Sequence, residues 1–246
     1  MASQLVCRPE LDLPVALLRV SGVLDLVTSD ALRHAVARSL SAQPMALLID
    51  VADLEISDPL GLGVLNDVIC QTVEWPAVPI VLCGARADAA AAIAASPDCA
   101  SVRTAGSCEQ ALDDIADEPE PRRIRVRLRP VPDACRQVRQ LVHQACAAWQ
   151  RREIAATAAL VASELVANVV RHAHTTMEFT VGLREGRMFL TVRDGSRRLP
   201  LPAEPGPTDP GGRGLRLVRE LTESWGVLPV SDGKVVWTRL AAGAIA

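Results

Sequence analysis

The chain has 246 residues, of which 49% are hydrophobic and 22% charged, with a formal net charge of −3. That length holds two domains of ordinary size, and the composition is that of a folded chain rather than a disordered one. The slight negative charge and an aromatic content of 2%, with no Tyr, argue against a basic, base-stacking nucleic-acid surface and leave the cores to Leu, Val, Ile and Ala.

In chain order, Val15–Val20 is an apolar run that reads as a strand. Thr28-Ser29-Asp30 offers an N-cap to a helix over Ala31–Leu40, whose apolar positions recur at helical spacing. Met45–Val51 is a continuous aliphatic run, as a buried strand would be. Leu62–Val73 reads as helix, Val78–Cys83 as strand and Ala87–Ala95 as helix. Ser107 caps a last helix reaching Ile115. Strand–helix alternation at this spacing predicts an α/β sandwich with a largely parallel or mixed sheet. Residues 118–123, Glu-Pro-Glu-Pro-Arg-Arg, are charged and Pro-bearing, which is linker chemistry; they divide a first domain, 1–117, from a second, 124–246.

The second half opens with a strand, Ile124–Leu128, followed by two long helices over Pro132–Trp149 and Arg152–Ala173. Glu178–Leu183 and Met188–Arg193 alternate around Arg184-Glu185-Gly186-Arg187 and predict a hairpin. A Pro- and Gly-rich loop leads to a helix over Gly214–Leu221 and a final strand pair, Trp225–Val230 with Lys234–Leu240. Helices first and antiparallel strands later is an α+β pattern, a mixed sheet with helices on one face. Trp149 and Trp225 read as core anchors, and His172 and His174 as packing or surface residues.

The seven Cys are scattered without CxxC or metal spacing and are odd in number, which predicts reduced, buried thiols and a cytoplasmic setting. The first residues lack a basic region followed by an apolar one, so no signal peptide is expected, and the apolar runs read as too short or too interrupted to span a bilayer.

Three stretches of the second half carry chemistry. Glu164 and Asn168 lie four apart, hence on one face of a helix, and Arg171 follows one turn later. A carboxylate can orient a hydroxyl or water, an amide oxygen suits Mg²⁺, and a guanidinium forks onto phosphate. Asp194-Gly195 ends a strand, where a carboxylate can accept from an adenine amino group and Gly permits close approach. Gly211-Gly212-Arg213-Gly214 precedes a helix whose N-terminus favours phosphate.

In this order "SELVANVVRHA", "VRDG", "GGRGLRLVRELTESWG" and the terminal "KVVWTRL" resemble the asparagine box and the glycine boxes of the GHKL ATPase/kinase superfamily. The nearer likeness is to the anti-sigma-factor serine-kinase-like HATPase domains of actinobacteria. The resemblance covers about residues 124–246 and implies a GHKL ATP-binding sandwich with ATP and Mg²⁺ as cofactors. It implies Glu164 as catalytic base or its orienter, and Asn168 as the Mg²⁺ holder. Arg171 would stand near the phosphates, Asp194 with Gly195 at the adenine, Gly212 and Gly214 at the phosphates, and Thr238 at the adenine end. One departure stands out: the glycine expected two residues after Asp194 is Ser196. The segment where the superfamily has its ATP lid carries Pro200, Pro202, Pro205, Pro207 and Pro210, which favours an extended, stiffened loop.

In the first half, "VSGVLD", "LLIDVADL" and "ISDPLGLGVL" resemble the STAS domain of anti-sigma-factor antagonists over about residues 5–117. In that family the residue before the first Gly of the last stretch is a Ser that accepts phosphate. Here it is Leu60, beside Pro59, and Ser57 is out of register, so no phosphoacceptor is expected at the usual place. Together the resemblances imply a cytoplasmic, ATP-binding regulator of a sigma-factor partner-switching pathway. Its partner would be a sigma factor or a STAS-domain antagonist, with no direct contact to nucleic acid or membrane and with room for a homodimer. They leave two readings open: a protein serine kinase, or a non-catalytic scaffold that sequesters a sigma factor or an antagonist.

Overall fold

Two compact units, Met1–Glu120 and Pro121–Ala246, make up the chain in a computed structural model. It describes residues 4–11, 14–56, 59–73, 78–99, 102–117, 122–184, 186–199, 213–230 and 232–241.

The first unit alternates strands and helices: β1 (Leu5–Glu10), β2 (Val15–Leu24), α1 (Ser29–Ser41), β3 (Ala46–Ile56), α2 (Pro59–Val73), β4 (Ile80–Cys83), α3 (Ala87–Ala95), β5 (Arg103–Ala105) and α4 (Cys108–Ala116). Its sheet runs β1-β2-β3-β4-β5, with β1 antiparallel to β2 and every other pair parallel. This is the expected α/β sandwich, a parallel sheet with one antiparallel edge. β1 and the three-residue β5 are additions to the sequence reading. Both are short and largely solvent-facing, so their hydrophobic pattern is weak. β3 extends five residues beyond the predicted end at Val51, because Asp53–Ile56 pair with the end of β2 across a bulge. Ser107 caps α4 as predicted, its hydroxyl accepting from the Gln110 amide at 3.1 Å. Thr28 precedes α1 but does not cap it with its side chain. Its hydroxyl donates instead to the Val23 carbonyl at 2.9 Å, closing the turn out of β2.

The helix α4 lies on the sheet face carrying Leu17, Leu48, Val81 and Cys83. That packing brings the Cα atoms of Cys83 and Cys108 to 5.2 Å, and the two form a disulfide. The expectation of reduced thiols is therefore corrected for this pair. Residues 25 apart are brought together by a helix returning onto a strand, and spacing alone carries no trace of it. Among the described residues, Cys7, Cys135 and Cys146 form no disulfide.

The second unit contains β6 (Arg122–Leu128), α5 (Asp133–Ala148), α6 (Ala155–Asn168), β7 (Met177–Arg184), β8 (Arg187–Asp194), α7 (Arg213–Leu221), β9 (Ser224–Val230) and β10 (Gly233–Ala241). Its sheet order is β6-β7-β8-β10-β9, with every pairing antiparallel. The expected α+β arrangement is present, with an antiparallel rather than a mixed sheet in this unit. Arg122 and Arg123, assigned to the linker by composition, open β6 instead. Both pair with the end of β7.

The core is aliphatic, as the composition demands. Val138, Val142 and Cys146 of α5 meet Val161, Leu165 and Val166 of α6 and Phe179, Val181, Leu190 and Val192 of the sheet. Trp149 belongs to this core and Trp225 packs against it. The helical run Arg152–Ala173 is, by length and composition, apolar enough to cross a membrane, contrary to the sequence reading. Half of it is buried against the rest of this unit. An apolar face that covers a sheet passes the same compositional test as a bilayer span.

Candidate functional site

α6 has two faces. Ala158, Val161, Ala162, Leu165 and Val166 are buried on the sheet side, while Glu164 and Asn168 stay partly exposed on the other. Glu164 and Asn168 are therefore neighbours for the reason the spacing predicted. What the spacing did not predict is how α6 ends: Val169–Ala173 forms a turn of π-helix, closed by His174 in a left-handed conformation with its N–H on the Val169 carbonyl at 2.9 Å. Such turns recur at functional sites because the extra residue re-aims the side chains beyond it. Here Arg171 turns back over the helix. Its Nη2 lies 3.5 Å from both Glu164 Oε2 and Asn168 Oδ1. His172 and His174 point to solvent.

Gly214, in the first turn of α7, meets this cluster. A Cβ there would lie 2.5 Å from Glu164 Oε2. The absence of a side chain lets the N-terminus of α7, with its free amides and positive dipole end, come against the Glu164 carboxylate. Glu164, Asn168, Arg171 and Gly214 are thus brought together from two helices. Gly212 and the Pro-rich segment that follows Leu199 lie outside the described residues, as does Ser57. Pro59 and Leu60 open α2.

A second cluster sits at the end of β8. Asp194 is 3% exposed. Its Oδ1 accepts from the Ser196 amide and from Lys234 Nζ, each at 2.8 Å. The Lys234 ammonium also donates to the Ser196 carbonyl at 3.1 Å. Gly195 donates its N–H to Thr175 Oγ1 at 3.0 Å. Gly233 leaves room for the Asp194–Gly195 backbone, which any side chain at 233 would strike. Among the described residues, Asp194 Oδ2 is buried with no hydrogen-bond partner. Thr238 is fully buried and its Oγ1 is likewise unpartnered among those residues. The strand register, however, puts Thr238 opposite Leu190 and puts Lys234 opposite Asp194. Thr175 was missed by the sequence reading, and Lys234, though it opens the "KVVWTRL" stretch, was given no role there; the contacts of the strand ends reveal both.

The donor chemistry suits a nucleotide with magnesium. Asn168 offers a neutral oxygen and Glu164 a carboxylate beside a helix N-terminus, and Mg²⁺ needs few protein oxygens when phosphates complete its shell. Among the described residues there is no cluster of three His, Cys, Asp or Glu that would hold a metal without such phosphates. The unpartnered Oδ2 of Asp194 is an acceptor fitted to an amino group. Burial in the core of this unit pushes the Cys146 thiol up to about 11.

Comparison with known proteins gives the following likenesses. Residues 128–240 match the histidine kinase-like ATPase domain family. No curated protein matches the chain. Among solved structures, an anti-sigma factor antagonist from Mycobacterium paratuberculosis is 23% identical, with a TM-score of 0.41, over 46% of this chain and 96% of that one. A variant of RsbS from Moorella thermoacetica is 19% identical, with a TM-score of 0.38, over 45% of this chain and 95% of that one. The RsbU and RsbW domains of a Mycobacterium tuberculosis protein are 18% identical, with a TM-score of 0.36, over 48% of this chain and 31% of that one. With its asparagine-bearing helix, its buried strand-end aspartate and its glycine at the start of α7, the segment 128–240 is similar to the histidine kinase-like ATPase domain family.

Proposed function

We propose that the second unit binds Mg·ATP and that the chain is an ATP-binding regulator in a partner-switching pathway that controls a sigma factor. The observation that carries this is the meeting of Glu164, Asn168 and Arg171 with the glycine-opened N-terminus of α7. Asn168 would hold Mg²⁺, which when bound neutralises charge on the phosphates. Arg171 and the α7 amides would engage the phosphates, Asp194 and Gly195 the base, and Gly212 and Gly214 the close backbone approach. Thr238 would support the far end of the base pocket.

Glu164 would orient a serine hydroxyl of a partner and take its proton, which would give the site serine-kinase-like chemistry. The partner class, a sigma factor or a STAS-type antagonist, follows from the resemblance of the first half to such antagonists. The domain reading is 1–117 for that half and 124–246 for the ATP-binding half. Isothermal calorimetry of the full chain with Mg·ATP, on wild type and Asn168→Ala, tests the site. Saturable binding lost in the variant supports it, and absence of binding in wild type removes it.

The second reading is a non-catalytic scaffold. It is favoured by Ser196 at the position of the superfamily's second glycine and by Pro59-Leu60, which lacks a hydroxyl, at the start of α2. Capture of a sigma factor or antagonist unaltered by Glu164→Gln, with no label transferred to a serine-bearing STAS protein, would decide for it.

A further inference from the structure

Lys234 is the single lysine among 26 lysine and arginine residues of this chain. Every other such cation is an arginine, a planar fork; at this one place the chain uses a compact ammonium with three donors. The place is buried: the Lys234 side chain is 8% exposed and that of Asp194 1%. A purely structural buried pair should satisfy both carboxylate oxygens, since an enclosed acceptor without a donor is costly. Here the arrangement is lopsided. Oδ1 takes the ammonium and the Ser196 amide, and Oδ2 takes nothing among the described residues. The same ammonium grips the Ser196 carbonyl, closing the turn after β8 around the carboxylate.

We propose that Lys234 is a positioning and specificity residue for the base. By engaging Oδ1 and the Ser196 carbonyl, it leaves Oδ2 as the carboxylate oxygen without a partner among the described residues. A carboxylate oxygen held there accepts from the 6-amino group of adenine, and a guanine seated in the same pose would set its 6-carbonyl against it. Lys234 thereby makes the pocket select adenine over guanine nucleotides, and it holds in place a turn in which Ser196 stands where glycine was expected. This rests on the nucleotide reading above and adds to it the residue that sets base choice.

The test uses the full chain grown with side-chain 13C,15N-lysine, which yields one Nζ resonance because there is one lysine. Mg·ATP and Mg·GTP are titrated separately, with calorimetry on the same samples. ATP should bind and move the Nζ resonance, and GTP should bind at least about tenfold more weakly. Lys234→Met should cost about tenfold in ATP affinity and shrink the ATP-over-GTP ratio, and Lys234→Arg should recover part of both. If Lys234→Met does not fold, the wild-type resonance decides by itself. ATP binding that leaves the Nζ resonance unmoved, or an unchanged ATP-over-GTP ratio in folded Lys234→Met, overturns the role of Lys234 while the nucleotide site stands. A wild type that binds neither nucleotide overturns the nucleotide reading.

Discussion

Gly214 and Glu164 are in contact across two helices: a methyl group at 214 would stand 2.5 Å from Glu164 Oε2 and 3.8 Å from Arg171 Nη2. The glycine of α7 and the carboxylate of α6 thus define one small space. Replacing Gly214 by Ala should displace the Glu164 carboxylate and crowd Arg171. Within a helix the same change ordinarily stabilises by about 0.5–1 kcal/mol. Mg·ATP affinity should therefore fall while the melting temperature holds or rises. Calorimetry beside a thermal melt checks this, and undiminished affinity would show that the contact is irrelevant to the site.

Glu164 and Asn168 should separate binding from transfer. Asn168→Ala should abolish Mg²⁺-dependent ATP binding. Glu164→Gln keeps the shape and the helix, so ATP should still bind, while phosphotransfer to a serine-bearing STAS protein should drop by about 10²–10⁴-fold. Label transfer at saturating ATP measures the second effect. Equal transfer by wild type and Glu164→Gln would remove the carboxylate from the chemistry.

The Cys83–Cys108 disulfide ties β4 to the first turn of α4 across 25 residues. A loop of that length should contribute about 3 kcal/mol through the unfolded chain. Dithiothreitol, or Cys108→Ser, should lower the urea midpoint of the first unit and leave Mg·ATP binding by the second unchanged. A midpoint insensitive to reductant would count against the bridge.

Cys146 offers a pH signature. Its thiol is raised from 9.0 to about 11 by burial in the core of the second unit. Folding therefore favours the protonated form. The stability tied to it is fully present below pH 9 and is lost as the pH rises towards 11, by about 2–3 kcal/mol at the upper end. The thiols of Cys7 and Cys135, also raised by burial, titrate in the same window, so the difference between wild type and Cys146→Ala isolates Cys146. Urea unfolding at pH 8.5 and 11 should show the decline in wild type and a smaller one in Cys146→Ala.

Much of the fold was legible because its signals are local. Ala87–Ala95 matched α3 in full, and the Ser107 cap formed as its chemistry requires. The hairpin of β7 and β8 followed from alternation around a charged glycine turn. Strands β1 and β5 were missed because each is short and half-exposed, so its place is set by the partner strand and not by its own pattern. The Cys83–Cys108 bridge was missed for a related reason, since its two halves meet only when α4 returns to the sheet.

The site divides along the same line. The sequence alone determined that Glu164 and Asn168 share a helical face, because 3.6 residues per turn permit nothing else once the helix forms. It also determined that an aspartate closes a strand and that a glycine opens the following helix. Only the tertiary structure decided that Gly214 leaves the room Glu164 occupies, that a π turn folds Arg171 back onto Glu164 and Asn168, and that Lys234 faces Asp194. Helix periodicity and capping act over a few neighbouring residues and are written in them. Strand register and helix–helix approach join residues 40 and 50 positions apart, and are fixed by which hydrophobic faces close over a common core.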